Sequence, residues 1–213
     1  PPAPNQFPPT SLYNAMIAPF TSYRLKGIVW YQGEGNVGRS STYAQKLQDL
    51  AYLWRFTFDN PELPFYVVEI APYLYESVRE PAKIREAQFI ATHTLAHAGI
   101  VSTNDLVPEM ESTCIHPSNK RTIGERLGNL SLLETYDYDT IQAQSPSFNR
   151  LEIHNDSVIL FFDNNAQTPD FKLTVGETDW FVEEALRSAQ AGKNYLRIPI
   201  TQEIGTLRVQ LQP

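Results

Sequence analysis

The hydrophobic positions in the first two thirds of the chain alternate between short continuous runs and helical spacings. Residues 25–32 form an apolar run that ends in polar and glycine residues, which is typical of a buried strand. From Tyr43, apolar residues recur at steps of four, three and four, as on one face of a helix. Further strands are predicted at 63–71 and 100–103, with Gly99 ending the helix that starts near Pro81, and a third helix opening at Pro117. Strand and helix therefore alternate, which predicts an α/β fold with a parallel sheet and right-handed crossovers.

The pattern changes near Ser145, after which the periods are short. Residues 151–153 and 158–162 flank an Asn155-Asp156 turn, which predicts a hairpin. Other strand-like runs are 171–175, 179–182, 196–200 and 206–211, with one weak helical patch at 183–189. We therefore predict three segments: an extended proline-rich connector and lead-in at 1–24, an α/β part at 25–144 and a β-rich lobe at 145–213.

Composition excludes several kinds of binding partner and structural site. The chain has 17 Lys and Arg against 24 Asp and Glu, a net charge of −7, so no basic face is expected for nucleic acid or an anionic membrane surface. No apolar run is long enough to span a bilayer. Cys114 is the one cysteine of the sequence, which excludes an internal disulfide framework and a cysteine-only zinc site.

The candidate chemistry lies in residues 32–36, Gln-Gly-Glu-Gly-Asn, at the carboxyl end of the first predicted strand, where open α/β sheets bind ligands. One interpretation is a dinucleotide site, because Gly33, Gly35 and Gly38 spell G-x-G-x-x-G after a strand. Against it, Glu34 lies where a phosphate would approach, and the helical spacing begins only at Tyr43.

The second interpretation is acyl transfer. An amide donor, a glycine and a carboxylate within three residues can stabilise an oxyanion and orient a histidine. His116 follows the third predicted strand, so it is expected at the same sheet edge and is a candidate general base. His93 and His97, four apart on the second predicted helix, could suggest zinc, but no third ligand is evident and a metal is not expected. Arg55 and Arg85 are interpreted first as charges on helix surfaces.

These residues resemble the sialate O-acetylesterase family, which are serine hydrolases of the SGNH superfamily. The resemblance covers about residues 10–136 and implies an SGNH-like three-layer α/β sandwich that lacks its first strands. It is carried by segments in family order, namely 11–19, 30–34, 54–55, 63–66, 70–72, 85–88 and 115–120.

The resemblance also implies roles for individual residues. His116 is expected to be the catalytic base, with Glu34 as the carboxylate that orients it. Gln32, Gly33 and Asn36 are expected near the oxyanion or the substrate, with Asp105 and Arg85 as possible supporting residues. The chain departs from the family pattern at Gly35, where serine is usual, and at Thr113-Cys114, where an aspartate often precedes Ile-His-Pro.

The largest departure concerns the nucleophile. The family serine lies in an upstream Gly-Gln-Ser-Asn-like motif that this sequence does not contain. We therefore predict the histidine-bearing part of a serine carbohydrate O-acetylesterase that acts on sialic acid or a related sugar. It would need no cofactor, and its serine would come from an upstream segment or a second chain. The resemblance implies a secreted, periplasmic or lysosomal location. The alternatives are a non-catalytic carbohydrate-binding or structural fragment and a dinucleotide-binding domain.

Overall fold

The computed structural model describes residues 10–77, 79–143, 146–155, 157–163, 170–175, 190–192, 195–199 and 207–212. The chain forms two compact units, Pro1–Tyr138 and Asp139–Pro213. The predicted boundaries of the three segments stay predictions. The proline-rich opening at 1–9, the strand-like run at 179–182 and the weak helical patch at 183–189 lie outside the described residues.

The first unit is built on a three-stranded parallel sheet. Strands β1 (Ile28–Tyr31), β2 (Phe65–Val68) and β3 (Ala98–Val101) lie in that order. Helix α1 (Tyr43–Thr57) joins β1 to β2, α2 (Arg79–Thr94) joins β2 to β3, and α3 (Lys120–Tyr136) follows β3. Short helical turns occupy Tyr13–Ile17, Ala18–Phe20, Glu34–Asn36, Ser40–Thr42 and Glu109–Glu111.

Alternating strand residues divide this unit into three layers, because successive side chains point to opposite faces of a sheet. Phe65 and Val67 face α1 and α2 and join the main buried cluster with residues such as Leu47 and Ile84. On the other face, the Tyr66 hydroxyl lies 2.7 Å from Thr135 Oγ1 of α3. The predicted three-layer α/β arrangement with a parallel sheet is therefore confirmed.

Two predicted boundaries are wrong in detail. Gly99 does not end a helix: it lies inside β3, where a Cβ would come within 3.0 Å of Leu130 Cδ2, so a small residue lets α3 pack closely. Helix α3 opens at Lys120, because the Asn119 side chain caps it by accepting from Thr122 N at 3.2 Å. Pro117 precedes that cap.

The second unit is β-rich, as predicted, and its described strands pair antiparallel. Strands β4 (Ser147–Ile153) and β5 (Ser157–Asp163) form the hairpin, and β8 (Tyr195–Pro199) pairs with β5 and with β7 (Gln190–Gly192). A separate pair joins β6 (Asp170–Val175) to β9 (Leu207–Gln212). Leu160, Leu196 and Ile198 are buried and supply this sheet with an apolar face.

Candidate active site

The Gln-Gly-Glu segment leaves β1 at its carboxyl end and is held there by two helices. The Gln32 carbonyl accepts hydrogen bonds from the Tyr43 hydroxyl of α1 at 2.8 Å and from Gln88 Nε2 of α2 at 3.1 Å. Gln88 is fully buried, and its Oε1 accepts from Ile70 N at 3.0 Å, just beyond β2. One amide therefore connects the ends of two neighbouring strands.

Gly33 lies where a side chain would not fit. Its φ is +154°, and a Cβ built there would lie 2.5 Å from Ile70 Cγ2 and 3.2 Å from the Tyr43 hydroxyl. Glycine at this position allows the backbone to approach the segment after β2 closely. Gly35, two residues later, has nothing within 4 Å of its would-be Cβ.

The side chains of Gln32 and Asn36 form an amide pair. Gln32 Nε2 donates to Asn36 Oδ1 at 2.8 Å, and Gln32 Oε1 accepts from the Tyr43 hydroxyl at 3.2 Å. Burial raises the pKa of Tyr43 to about 12, so this phenol is a neutral donor at physiological pH. The structure thus brings together the two amides predicted from sequence and fixes which way Gln32 faces.

Glu34 begins the short turn Glu34–Asn36 and is half-buried. Its charge acts on two tyrosines. Burial and the Glu34 carboxylate together raise the pKa of both Tyr31 and Tyr75. Among the described residues, the buried hydroxyls of these two tyrosines have no hydrogen-bond partner. Glu34 therefore lies at a polar, aromatic edge of the sheet.

The loop that carries His116 reaches the end of β1. Lys120, the first residue of α3, places its Nζ 4.8 Å from the centre of the Tyr31 ring, next to Gln32 in sequence. His116 is exposed, and no described side chain makes a hydrogen bond or ion pair with its imidazole. The structure therefore places His116 on a loop docked to β1 without joining its imidazole to Glu34.

Asp105 is engaged elsewhere. Arg126 of α3 binds its carboxylate with both terminal nitrogens, with Nη1 at 2.7 Å from Oδ1, and Nη1 also donates to the Ser102 carbonyl at 2.8 Å. This fork geometry is the strong form of an arginine–carboxylate pair. Asp105 thus fixes the loop after β3 against α3 and does not contact His116.

Arg85 and Glu69 lie at the end of β2. Arg85 Nε donates to the Ile70 carbonyl at 3.2 Å, which brings this predicted supporting residue to the same edge as Gln88. Glu69 Oε2 accepts from Ser102 Oγ at 3.0 Å, Asn104 Nδ2 at 3.1 Å and Thr103 N at 3.3 Å. Burial raises the pKa of Glu69, although Arg85 and these donors oppose the rise.

The sequence does not reveal the roles of three side chains. Its spacing predicts Tyr43 on an apolar helix face without indicating its hydrogen bonds, and no motif assigns a role to Gln88. One signal is present: Gln88 lies four residues after Ile84, so a polar residue occupies the inward face of α2. The prediction that Arg55 lies on a helix surface is wrong, because Arg55 is only 6% exposed and its Nε donates to the Leu63 carbonyl at 3.0 Å, at the opposite sheet edge.

The competing motifs have other local structures. Gly38 lies in a loop five residues before α1 begins, so it does not open a helix toward a phosphate. His97 is not on α2, which ends at Thr94, and its φ is +51°. His93 stacks on Phe89 at 3.6 Å between ring centres.

No helix in the described part of the chain is both long and apolar enough to cross a membrane.

Comparison with known proteins identifies the family. Residues 4–132 match the sequence profile of the family described as carbohydrate esterase, sialic acid-specific acetylesterase. The sialate O-acetylesterase of Rattus norvegicus is 28% identical over 182 residues, covering 73% of this chain and 32% of that protein. The Homo sapiens enzyme is 26% identical over 170 residues, covering 67% and 30%. The chain thus spans about a third of the length of the curated relatives it matches.

A solved structure matches as well. The crystal structure of a carbohydrate acetylesterase from Xanthomonas citri aligns with 94% of this chain and 48% of its own, at a TM-score of 0.75 and 23% sequence identity. At that identity the likeness shows the fold. The predicted family and the predicted fold class are both confirmed.

Proposed function

This chain belongs to the sialic acid-specific acetylesterase family of carbohydrate esterases, and from that membership we propose that it supplies the histidine-bearing part of a serine O-acetylesterase. The observation that carries the proposal is the pairing of Gln32 with Asn36 at the sheet edge to which the His116 loop is docked through Lys120 and Tyr31. Fixed amide donors and a histidine at the same sheet edge are groups that ester hydrolysis uses.

The chemistry proceeds in two steps. A serine hydroxyl attacks the acetyl carbonyl while His116 takes its proton, and the oxyanion is held by backbone N–H groups with Gln32 or Asn36. The intermediate collapses as His116 returns the proton to the departing sugar hydroxyl. Water then attacks the acetyl-enzyme, His116 takes its proton, and acetate leaves as the serine is regenerated.

Glu34 is the candidate for orienting His116. It is half-buried at the end of β1, whereas Asp105 is already paired with Arg126. A carboxylate in this role holds the imidazole in the correct tautomer and stabilises its protonated form.

The serine is proposed to come from a segment outside this chain. Strand β1 pairs only with β2 among the described residues, and Val29 on it is 54% exposed. Buried hydroxyls without partners are rare in native proteins, yet those of Tyr31 and Tyr75 have none in the described part. A further segment packed beside β1, on the sheet face that carries Val29 and Tyr31, would cover Val29 and bring new polar groups to this edge.

Acetylated sialic acid is the proposed substrate, because both the family description and the curated relatives name it. A related acetylated sugar is the alternative substrate.

The protein is proposed to be secreted, periplasmic or lysosomal. Cell fractionation followed by immunoblotting of this chain tests the location.

The test reconstitutes the enzyme. This chain is produced with and without a polypeptide that carries a Gly-Gln-Ser-Asn-like segment, and intact mass under native conditions shows whether the two associate. The complex, called here the reconstituted esterase, is assayed for acetate release from acetylated sialic acid and from acetylated xylan. His116→Ala should abolish acetate release. His154→Ala should leave it unchanged, because His154 is exposed in the turn between β4 and β5.

The results separate the alternatives. Release from xylan alone would change the substrate class and keep the mechanism. A stable complex without any release would favour the non-catalytic carbohydrate-binding role, and equal activity in both histidine variants would remove His116 as the base.

A further inference from the structure

The loop that carries His116 is closed by a carboxylate. Glu111 Oε2 accepts from Ser118 N at 2.9 Å, and its Oε1 accepts from Ser118 Oγ at 2.6 Å. Both oxygens are used, and both donors come from the second residue after His116. Charge-assisted bonds of this kind are shorter and stronger than neutral ones. We name this pair of bonds the Glu111–Ser118 clamp.

Additional contacts fix the loop inside the clamp. Cys114 N donates to the Glu111 carbonyl at 2.7 Å, and Cys114 Sγ donates to the His116 carbonyl at 3.2 Å. Ser112 accepts from Leu74 N at 2.7 Å, which fastens the loop to the segment after β2. The backbone on both sides of His116 is therefore restrained, while no described side chain bonds to its imidazole.

We propose that Glu111 is a positioning residue for His116, acting through the loop backbone and not by contact with the imidazole. The proposal rests on the proposed function, in which His116 is the base. A base must lie within about 3 Å of the proton it takes, and misplacement by about 1 Å can reduce the rate about 100-fold.

The first test does not require esterase activity. The histidine ring signals of the 213-residue chain are recorded by NMR, the His116 signal being assigned with His116→Ala among the four histidines. Glu111→Ala should move the His116 signal to its random-coil position and accelerate amide exchange at Ser118 at least about 10-fold. Glu109→Ala is the matched control, because Glu109 lies exposed in the same turn and its carboxylate has no partner among the described residues.

The second test uses the reconstituted esterase. Glu111→Ala should lower kcat about 10- to 100-fold with KM unchanged, because His116 acts in the chemical step and not in binding. Glu111→Gln should recover most of kcat, since its amide oxygen still accepts from Ser118 N and its NH₂ can donate to Ser118 Oγ. Ser118→Ala, which removes one of the two bonds, should give an intermediate loss.

The outcomes distinguish the two proposals. Unchanged His116 signals in Glu111→Ala would overturn the clamp, as would full kcat in Glu111→Ala where His116→Ala is inactive. Full activity in His116→Ala would overturn the proposed function and the catalytic meaning of the clamp together, even if the NMR result stood.

Discussion

Gln32 and Asn36 hold each other in one orientation. Gln32 Oε1 faces the Tyr43 hydroxyl, so its Nε2 faces Asn36 and donates to Oδ1 at 2.8 Å. Because the Asn36 oxygen is used as an acceptor, its NH₂ group is left as the donor that it can offer to a ligand. The pair therefore presents the Asn36 NH₂ group as a hydrogen-bond donor at the end of β1, which is the polarity that a developing oxyanion requires.

Asn36→Asp tests this polarity. The aspartate can still accept from Gln32 but offers no NH₂ and adds a negative charge, so kcat of the reconstituted esterase should fall about 100- to 1,000-fold. Acetate release measured against substrate concentration separates kcat from KM. Asn60→Asp is the control: Asn60 also accepts through Oδ1, from Glu62 N, but lies before β2 at the opposite edge of the sheet. Equal losses in both variants would contradict the role given to Asn36.

Gly33→Ala should destabilise the first unit, because its Cβ would lie 2.5 Å from Ile70 Cγ2 at a φ of +154°. Overpacking of this kind costs about 1–3 kcal/mol of the free energy of unfolding. Gly35→Ala is the matched control, since its Cβ meets nothing within 4 Å. Urea unfolding followed by circular dichroism measures both. A Gly33→Ala protein as stable as Gly35→Ala would show that the backbone after β1 does not need glycine.

The order of elements and the sheet edge that carries the site could be predicted from sequence, because apolar spacing reports which side of a strand or helix is buried. The hydrogen-bond and ion-pair partners of side chains that are distant in sequence could not be predicted. Asp105 and His116 follow the same strand, and only the folded chain shows that Arg126 takes Asp105. Arg55 has the spacing of a helix residue near solvent, and its burial depends on carbonyls of Leu63 and Ala96, 8 and 41 residues away in sequence.

Gln88→Leu should lower the free energy of unfolding by removing buried hydrogen bonds beneath the site. The leucine fills a similar volume but leaves Ile70 N without its acceptor and removes one of the two donors to the Gln32 carbonyl. An unsatisfied buried N–H costs about 1–3 kcal/mol, so the free energy of unfolding should fall by that amount in urea titrations. Gln45→Leu, on the exposed side of α1, should change it by no more than about 0.5 kcal/mol. Equal stability of the two variants would show that Gln88 does not join the strand ends.

Glu69 gives the stability a pH dependence whose sign can be stated. Burial raises its pKa in the folded protein, so the folded chain binds this proton more tightly than the unfolded chain. The contribution of Glu69 to stability is therefore fully present below the unfolded pKa of about 4.3 and is lost as pH rises through the raised folded pKa.

Glu69→Gln removes this dependence, because glutamine stays neutral and its Oε1 still accepts from the Ser102, Thr103 and Asn104 donors. The free energy of unfolding of Glu69→Gln, minus that of the unaltered chain, should increase as pH rises from about 4 and level off above the folded pKa. Urea titrations across that pH range measure the difference, and the control is the same substitution at Glu62, an exposed glutamate before β2. A difference that decreases with rising pH would mean that the attraction of Arg85 for the ionised carboxylate outweighs its burial.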